Sequence, residues 1–141
     1  MLNGMRQAEG ARRREVLDAA RQLFFERGYK GTTIQHIAER AGYSKRTVYL
    51  DFRNKDELFV SLCAEGGELI LAQLRQIAAE GGPVDAIIER LVDVIVEFSR
   101  SYDGYFRMIF SEATPEIVGN CSAPLREQVA RLEHACLDVL V

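Results

Sequence analysis

Residues 32–52 read TTIQHIAERAGYSKRTVYLDF, and this stretch decides the fold of the N-terminal part of the chain. A short helix with one buried side is predicted by four apolar residues at helical spacing: Ile34, Ile37, Ala38 and Ala41. Thr32 and Gln35 stand in the order of a capping box at its start. Gly42 supplies a turn, and Ser44 is a suitable N-cap for a second short helix. The small Ala38 at a helix crossing, the turn at Gly42 and the apolar Val48 six residues later indicate a helix-turn-helix.

The second helix of this unit has one inward and one outward face. Val48 and Phe52 lie at i and i+4 and are predicted to face the core, which directs Arg46, Thr47 and Leu50 outward. A guanidinium at position 46 can bind guanine O6 and N7, Thr47 can contact a base edge or a phosphate, and Leu50 can contact a thymine methyl group. The outward face therefore has the chemistry that reads the major groove of DNA.

Other polar residues near this helix are suited to the DNA backbone. Lys45 and Tyr49 lie on its flanks, Thr33 lies at the start of the preceding helix, and Lys55 lies at the start of the following one, where helix N-termini favour anions. Three consecutive arginines at 12–14 can add electrostatic attraction to phosphates. The alternative is an ordinary three-helix packing unit with charged, solvated faces.

Helical periodicity continues along the whole sequence, so we predict an all-α fold. A first helix from about residue 11 to Arg27 is predicted by an apolar stripe of Val16, Ala20, Leu23 and Phe24. Asn54 and Glu57 repeat the capping-box order and open a long helix toward residue 80, whose middle is weakened by Gly66 and Gly67. We expect a helix-turn-helix domain over residues 1–55 and a helical regulatory domain over residues 56–141.

The second domain is predicted from breaks between apolar segments. Gly81, Gly82 and Pro83 interrupt the pattern, and the helix over 84–102 is apolar on most of its circumference, which predicts a central position. A short helix over 105–113, a loop or broken helix over 114–124 and a last helix from about Leu125 complete the prediction.

Composition excludes several classes of protein. The chain has 141 residues, 48% of them hydrophobic and 28% charged, which fits one globular domain or two small ones and excludes a disordered chain. The formal net charge of −3 argues against nucleic-acid binding when taken whole. Residues 1–60, however, hold 12 Lys and Arg against 8 Asp and Glu, and residues 61–141 hold 6 against 13. The basic part is therefore the one expected to meet an anion.

Few residues suggest chemistry other than DNA binding. Cys63, Cys121 and Cys136 are odd in number and widely spaced, so we expect no disulfide framework and no metal site. They are expected to pack as small hydrophobes, with redox sensing by Cys121 as the alternative. The apolar segment 84–98 contains five charged residues, which excludes a membrane span. With no nucleophile–base pair, close carboxylate pair or phosphate loop, we expect a cytoplasmic protein that is not an enzyme and has no cofactor.

The run GTTIQHIAERAGYSKRTVYLDFRNKDELF at 31–59 resembles the DNA-binding signature of the TetR family of bacterial transcriptional regulators, and the likeness extends over about residues 11–60. The resemblance implies that Thr33, Lys45, Thr47, Tyr49 and Lys55 bind DNA and that positions 46 and 50 vary with the operator. It also implies a C-terminal helical domain that forms a homodimer and holds an inducer between its helices. FRMIFSEATPEI at 106–117 is similar to the AcrR or AefR-like branch. Family members usually continue through two further long helices, so the apolar run HACLDVLV at 134–141 suggests a shortened chain.

An aromatic cluster in the second domain is the candidate ligand site. One interpretation of this cluster is ordinary core packing. The alternative is that it forms the wall of an apolar cavity that opens beside the long helix. Arg107 and Glu112 are candidate polar contacts for the ligand. The candidate lining residues are Leu62, Phe98, Tyr102, Tyr105, Phe106 and Phe110.

Taken together, these patterns predict a ligand-responsive transcriptional regulator. The expected mode is repression, with release from a double-stranded operator when a small apolar or amphipathic inducer binds. The alternative is a constitutive or architectural helix-turn-helix protein with a closed core and no inducer.

Overall fold

The computed structural model describes residues 2–140, and every regular element in this range is helical, which confirms the all-α prediction. The elements are α1 (Leu2–Arg27), α2 (Ile34–Ala41), α3 (Lys45–Asp51), α4 (Lys55–Glu80), α5 (Val84–Ser101), α6 (Asp103–Arg107), a π-helical turn (Met108–Glu112), α7 (Pro115–Gly119) and α8 (Ala123–Leu140).

The first three helices pack around a core that the sequence pattern identified. All four residues of the predicted α1 stripe are buried, and Ile37, Ala38, Val48 and Phe52 are at most 1% exposed. The core continues into the rest of the chain, because the Phe24 ring lies edge-on to Phe59 of α4 with their centroids 5.2 Å apart. The first three helices and the rest of the chain therefore share one hydrophobic core.

The caps of α2 and α4 differ from the prediction in detail. Thr33, and not Thr32, caps α2: its hydroxyl accepts from the amide of His36, whose Nδ1 in turn faces the Thr33 amide. Thr32 is buried and donates to the Gly28 carbonyl at 2.9 Å, so it closes the end of α1 instead. The predicted start of α1 at about residue 11 is also wrong, because the helix already begins at Leu2.

Asn54 caps α4 as predicted, with its Oδ1 accepting from the Glu57 amide at 2.8 Å. Glu57 does not return the bond to the cap. Its carboxylate accepts instead from the amide of Ser122 at 3.0 Å and from the Ser122 hydroxyl at 2.5 Å. The start of α4 is therefore tied to the start of α8, and the two helices run side by side in parallel.

The helix α4 continues unbroken through its two glycines, as the predicted long helix requires. Gly66 is buried, and a Cβ atom at this position would lie 3.0 Å from Ile109 and from Tyr105. Its missing side chain allows α6 and the π-helical turn to approach α4 closely.

The predicted central position of α5 is wrong. Phe98 is its only buried residue, and α5 packs on α4 and α6 through one stripe alone. A second apolar stripe is exposed and consists of Val84, Ile88, Val92, Ile95 and Val96. Apolar residues around a helix therefore do not by themselves show that neighbours surround it.

The region after α5 is also divided differently. The predicted helix over 105–113 is α6 followed by the π-helical turn, in which the amide of Ala113 donates to the carbonyl of Met108 at 2.8 Å. The segment 114–124, predicted as a loop or a broken helix, contains the short helix α7, which has Thr114 as its N-cap and a proline in its first turn. Such π-helical turns often occur at functional positions.

Candidate nucleic-acid interface

The turn between α2 and α3 has the geometry that the glycine predicts. Gly42 adopts the left-handed conformation with φ of 81°, and the amide of Tyr43 donates to the Ala38 carbonyl at 2.9 Å. Left-handed backbone of this kind favours glycine because it has no Cβ. Ser44 then caps α3 by accepting from the Thr47 amide at 3.1 Å. The chain is thus turned sharply, and α3 starts in a defined direction.

The surface of α3 divides as the sequence predicted. Val48 and Phe52 are buried, and the outward side chains of Lys45 and Arg46 are exposed. Tyr49 is 48% exposed and Leu50 is 68% exposed, both large apolar groups that solvent does not favour. Among residues 4–140, Lys45 and Arg46 form no ion pair. These four side chains form a cationic and apolar face that is available to a groove.

Two predicted contact residues are engaged in caps. The Thr47 hydroxyl lies 2.9 Å from the Ser44 hydroxyl, so it shares a hydrogen bond with the cap of α3. Thr33 is exposed at the start of α2, where its hydroxyl accepts from the His36 amide. Each hydroxyl keeps further hydrogen-bonding capacity for a phosphate oxygen.

Lys55 lies at the start of α4, but its ammonium group turns inward. Nζ donates to the carbonyls of Tyr29 at 2.9 Å and of Thr32 at 3.1 Å, and lies 3.9 Å above the centre of the Tyr29 ring. Burial lowers the pKa of Lys55. This contact is not predictable from local patterns, because it depends on the conformation of the loop after α1.

The arginines at 12–14 are all engaged within the chain. Arg12 forms two hydrogen bonds with Asp51 at 2.8 and 2.9 Å, and the Arg13 guanidinium lies 4.9 Å from the centre of the Phe52 ring. Arg14 pairs with Glu65 at 2.7 Å and with Asp18 at 3.1 Å. The expected attraction of Arg12 and Arg14 for the DNA backbone is therefore reduced by neighbouring carboxylates.

The six candidate ligand-lining residues do not share one environment. Leu62 and Phe98 are buried in the core, whereas Phe110 is 63% exposed. Tyr105 packs edge-on to Phe25 with centroids 5.1 Å apart, and its hydroxyl donates to Glu65 at 3.2 Å.

The other rings form a continuous chain. The centroid of Phe98 lies 5.3 Å from that of Tyr102 and 6.5 Å from that of Phe106, which is 4.8 Å from Phe110. The rings contact one another along α5, α6 and the π-helical turn, and the chain ends at the surface.

Arg107 and Glu112, considered above as polar contacts for a ligand, bind the end of α1 instead. The Arg107 guanidinium donates to the carbonyls of Phe24 at 3.1 Å and of Phe25 at 2.7 Å. Glu112 accepts from the amide of Tyr29 at 2.7 Å and from Arg107 at 3.3 Å. These bonds satisfy backbone groups at the end of α1 and connect the body to the DNA-binding unit.

A cleft of about 410 Å³ lies between α1, α4 and α8, where the sequence predicted no site. Its walls contain both acidic and basic side chains. Because three helices contribute these side chains, the spacing of residues along any one helix does not predict the cleft. The lining residues are Arg13, Leu17, Glu57, Ser61, Glu65, Ser122, Pro124, Leu125, Gln128 and Arg131.

The remaining observations concern other chemistry. No group of three or more His, Cys, Asp or Glu side chains within residues 2–140 is placed to hold a metal ion. No helix in the same range is long and apolar enough to cross a membrane. Cys121 is 1% exposed, its thiol lies 3.4 Å from the Ile117 carbonyl, and burial raises its pKa to about 11. Burial raises the pKa of Cys63 to about 12.

A capped, outward-facing α3 that is turned against a buried α2 defines the helix-turn-helix class of DNA-binding proteins. The family model for bacterial regulatory proteins of the tetR family matches residues 16–62. This match spans α1 to the first turns of α4. Residues 16–62 of the chain are therefore similar to the conserved N-terminal region of the TetR family of bacterial regulatory proteins.

Similar proteins include two named repressors. The chain is 34% identical over 80 residues to the HTH-type transcriptional repressor AcnR of Corynebacterium diphtheriae, covering 57% of this chain and 40% of that protein. It is 40% identical over 62 residues to the HTH-type transcriptional repressor Rv1474c of Mycobacterium tuberculosis, covering 44% and 33%. The chain thus spans about two fifths of the length of the curated relatives it matches.

Solved structures share the fold over most of the chain. AibR, determined in complex with isovaleryl coenzyme A and operator DNA, superposes with a TM-score of 0.68 at 21% identity. The superposition covers 92% of this chain and 68% of AibR. At this identity the likeness establishes the helical architecture beyond the helix-turn-helix.

Proposed function

We propose that this chain is a transcriptional repressor that binds double-stranded operator DNA as a homodimer and is released by a small apolar or amphipathic inducer. The exposed face of α3 carries the proposal, because Lys45, Arg46, Tyr49 and Leu50 project from a helix whose opposite side is buried. Helices of this kind insert into the major groove. The names of the repressors that match the same part of the chain support the same function.

Each contact residue has a role that its position supports. Arg46, Thr47 and Leu50 read base edges, while Lys45, Tyr49 and Thr33 bind phosphates. Lys55 is assigned to a phosphate only through the one ammonium N–H that the carbonyls of Tyr29 and Thr32 leave free. We place the boundary between the DNA-binding domain and the regulatory domain at residues 55 and 56.

In the homodimer, two α3 helices enter successive major grooves about 34 Å apart. Any ligand that changes this spacing lowers the affinity for the operator. A protein with this function acts on the nucleoid in the cytoplasm.

The chain of rings from Phe98 to Phe110 is the proposed wall for the inducer. It adjoins α6 and the π-helical turn; Arg107 at the end of α6 and Glu112 at the end of the turn both bind the end of α1. A ligand that displaces these rings therefore moves groups bonded to the DNA-binding unit. Release of bound duplex by members of a panel of apolar carboxylic acids and their thioesters tests this part. Binding that no compound changes favours the constitutive alternative.

The DNA-binding part is tested with the full chain and a duplex selected from a random 20-bp library. Arg46→Ala is expected to weaken binding to that duplex by about 10- to 100-fold, because a bidentate contact to guanine is lost. Arg100→Ala removes the same charge from the exposed surface of α5 and serves as the matched control. Fluorescence anisotropy measures both dissociation constants. A library without enrichment, or equal affinities of the two variants, would contradict the proposal.

A further inference from the structure

One turn of α1 holds both ends of α3. Before α3, the Tyr43 hydroxyl donates to Glu15 of α1 at 2.8 Å. At the last residue of α3, Asp51 accepts two hydrogen bonds from Arg12 of α1, at 2.8 and 2.9 Å. The Arg12 and Asp51 side chains are 24% and 14% exposed, so this pair is partly shielded from water.

Apolar packing alone gives α3 little orientation. The helix has seven residues, and Val48 is its single buried side chain, followed by the buried Phe52 at its end. A helix this short is unstable in isolation and depends on its neighbours. Two buried side chains, Val48 and Phe52, hold the helix along one line, and rotation of the helix about that line is poorly restrained. The two-bond contact between Arg12 and Asp51 lies beside that line and restrains the rotation.

The position of Asp51 is electrostatically unfavourable in other respects. A carboxylate at the C-terminus of a helix opposes the helix dipole. It also follows Tyr49 and Leu50 directly in the chain, so phosphates near these residues would repel it. Arg12 neutralises the Asp51 carboxylate through direct contact. This indicates that the ion pair, and not the carboxylate alone, accounts for an acidic residue at this position.

We propose that the Arg12–Asp51 pair is a positioning device that sets the rotation of α3 against α1 and thereby the discrimination between DNA sequences. This inference rests on the proposed DNA binding. It assigns Arg12 to the protein and not to a phosphate, although Arg12 belongs to the most basic run of the chain. Neither residue is expected to touch a base.

The test compares two duplexes: one selected by the wild-type chain from the random library, and a scrambled version of the same composition. Asp51→Asn and Arg12→Gln are each expected to weaken binding to the selected duplex by on the order of tenfold, as one mismatched base pair does. Because each single variant also changes one charge near the phosphates, it shifts binding to both duplexes, and the quantity compared is the ratio of the two affinities. The double variant is expected to lose no more than either single variant, because the two residues act as one unit.

Two further variants provide controls. Arg12→Asp combined with Asp51→Arg rebuilds the pair with reversed polarity, and we expect the ratio of the two affinities to recover. Arg40→Gln breaks an ion pair of 3.0 Å with Glu26 that joins α2 to α1 without touching α3, and we expect that ratio to stay at the wild-type value. Circular dichroism and thermal unfolding confirm that each variant is folded. Asp51→Asn keeps the shape of the side chain and is the variant on which the result depends.

Three results would overturn the proposal. If Arg12→Gln weakens both duplexes equally while Asp51→Asn weakens neither, Arg12 is a phosphate contact. If Asp51→Asn tightens both duplexes equally and leaves the ratio unchanged, Asp51 is only a repulsive charge. If the exchanged pair does not restore the ratio, orientation by this pair is not the cause. A wild-type chain that binds neither duplex would instead refute the DNA binding itself, and the inference with it.

Discussion

Single residues in this chain often have partners that lie far away in sequence. Lys55 was predicted to contact phosphate, and its ammonium group binds carbonyls 26 and 23 residues earlier. Arg107 binds carbonyls more than 80 residues earlier. The nearby cap at Ser44 was predictable because its partner lies three residues ahead. Sequence patterns identify contacts within one helical turn, whereas contacts between distant elements depend on the tertiary fold.

For Cys121, packing as a buried small hydrophobe and redox sensing lead to opposite predictions about the reactivity of its thiol. Because the thiol is buried and its pKa is raised to about 11, we expect it to react more slowly with iodoacetamide at pH 8 than the partly exposed Cys136. Mass spectrometry of the alkylated peptides measures both rates. In denaturant the two rates are expected to converge, which serves as the control. Rapid alkylation of native Cys121, or its oxidation by dilute peroxide, would support the redox alternative.

The same shift has a consequence for stability. The pKa of Cys121 rises from 9.0 to about 11 on folding, so the folded chain retains a proton that the unfolded chain releases. The contribution of this thiol to stability is therefore present below about pH 9 and is lost as the pH rises toward about 11. Urea unfolding at several pH values should show a smaller decline in Cys121→Ala than in the wild-type chain.

At the scale of elements, the number and order of the principal helices were predictable, but their neighbours were not. Repeated apolar residues fixed α1, α2, α3 and α4, because each buries the stripe that its sequence displays. The sequence of α5 displays two stripes, and only one of them is buried. Periodicity shows which residues share one face of a helix. How many of its faces are buried depends on how many other helices pack against it.

The two adjacent glycines of α4 make a matched pair for testing close packing between elements. Gly67→Ala is expected to raise the free energy of unfolding by up to about 1 kcal/mol, because alanine favours helix and its Cβ would meet only Leu132 at an ordinary 3.5 Å. Gly66→Ala is expected to be neutral or destabilising, since its Cβ would lie 3.0 Å from Tyr105 and Ile109. Urea unfolding of the two variants measures the difference. Equal stabilisation by both would show that α6 does not approach α4 this closely.

At the scale of the whole molecule, the distribution of charge matters more than its total. The net charge of −3 combines a basic first part with an acidic remainder. The basic part is itself less available than its composition suggests, because carboxylates pair with Arg12 and Arg14 and the Arg13 guanidinium lies over the Phe52 ring. Among the residues that we propose as DNA contacts, the cations are Lys45, Arg46 and Lys55. Composition alone could not separate the engaged cations from the available ones.

This distribution predicts the salt dependence of binding to the selected duplex. Three available cations per subunit release about six counterions per dimer, so the slope of log K against log salt concentration is expected near −5, whereas participation of all three arginines would bring it near −11. Lys45→Gln should reduce the slope by about two per dimer. Arg14→Gln should leave it unchanged, because that guanidinium already pairs with Glu65 and Asp18. Anisotropy titrations between 50 and 300 mM potassium chloride cover the range in which phosphate contacts are most sensitive to salt. A slope near −11, or a clear effect of Arg14→Gln, would mean that DNA breaks these internal pairs and that the arginine run turns toward the backbone on binding.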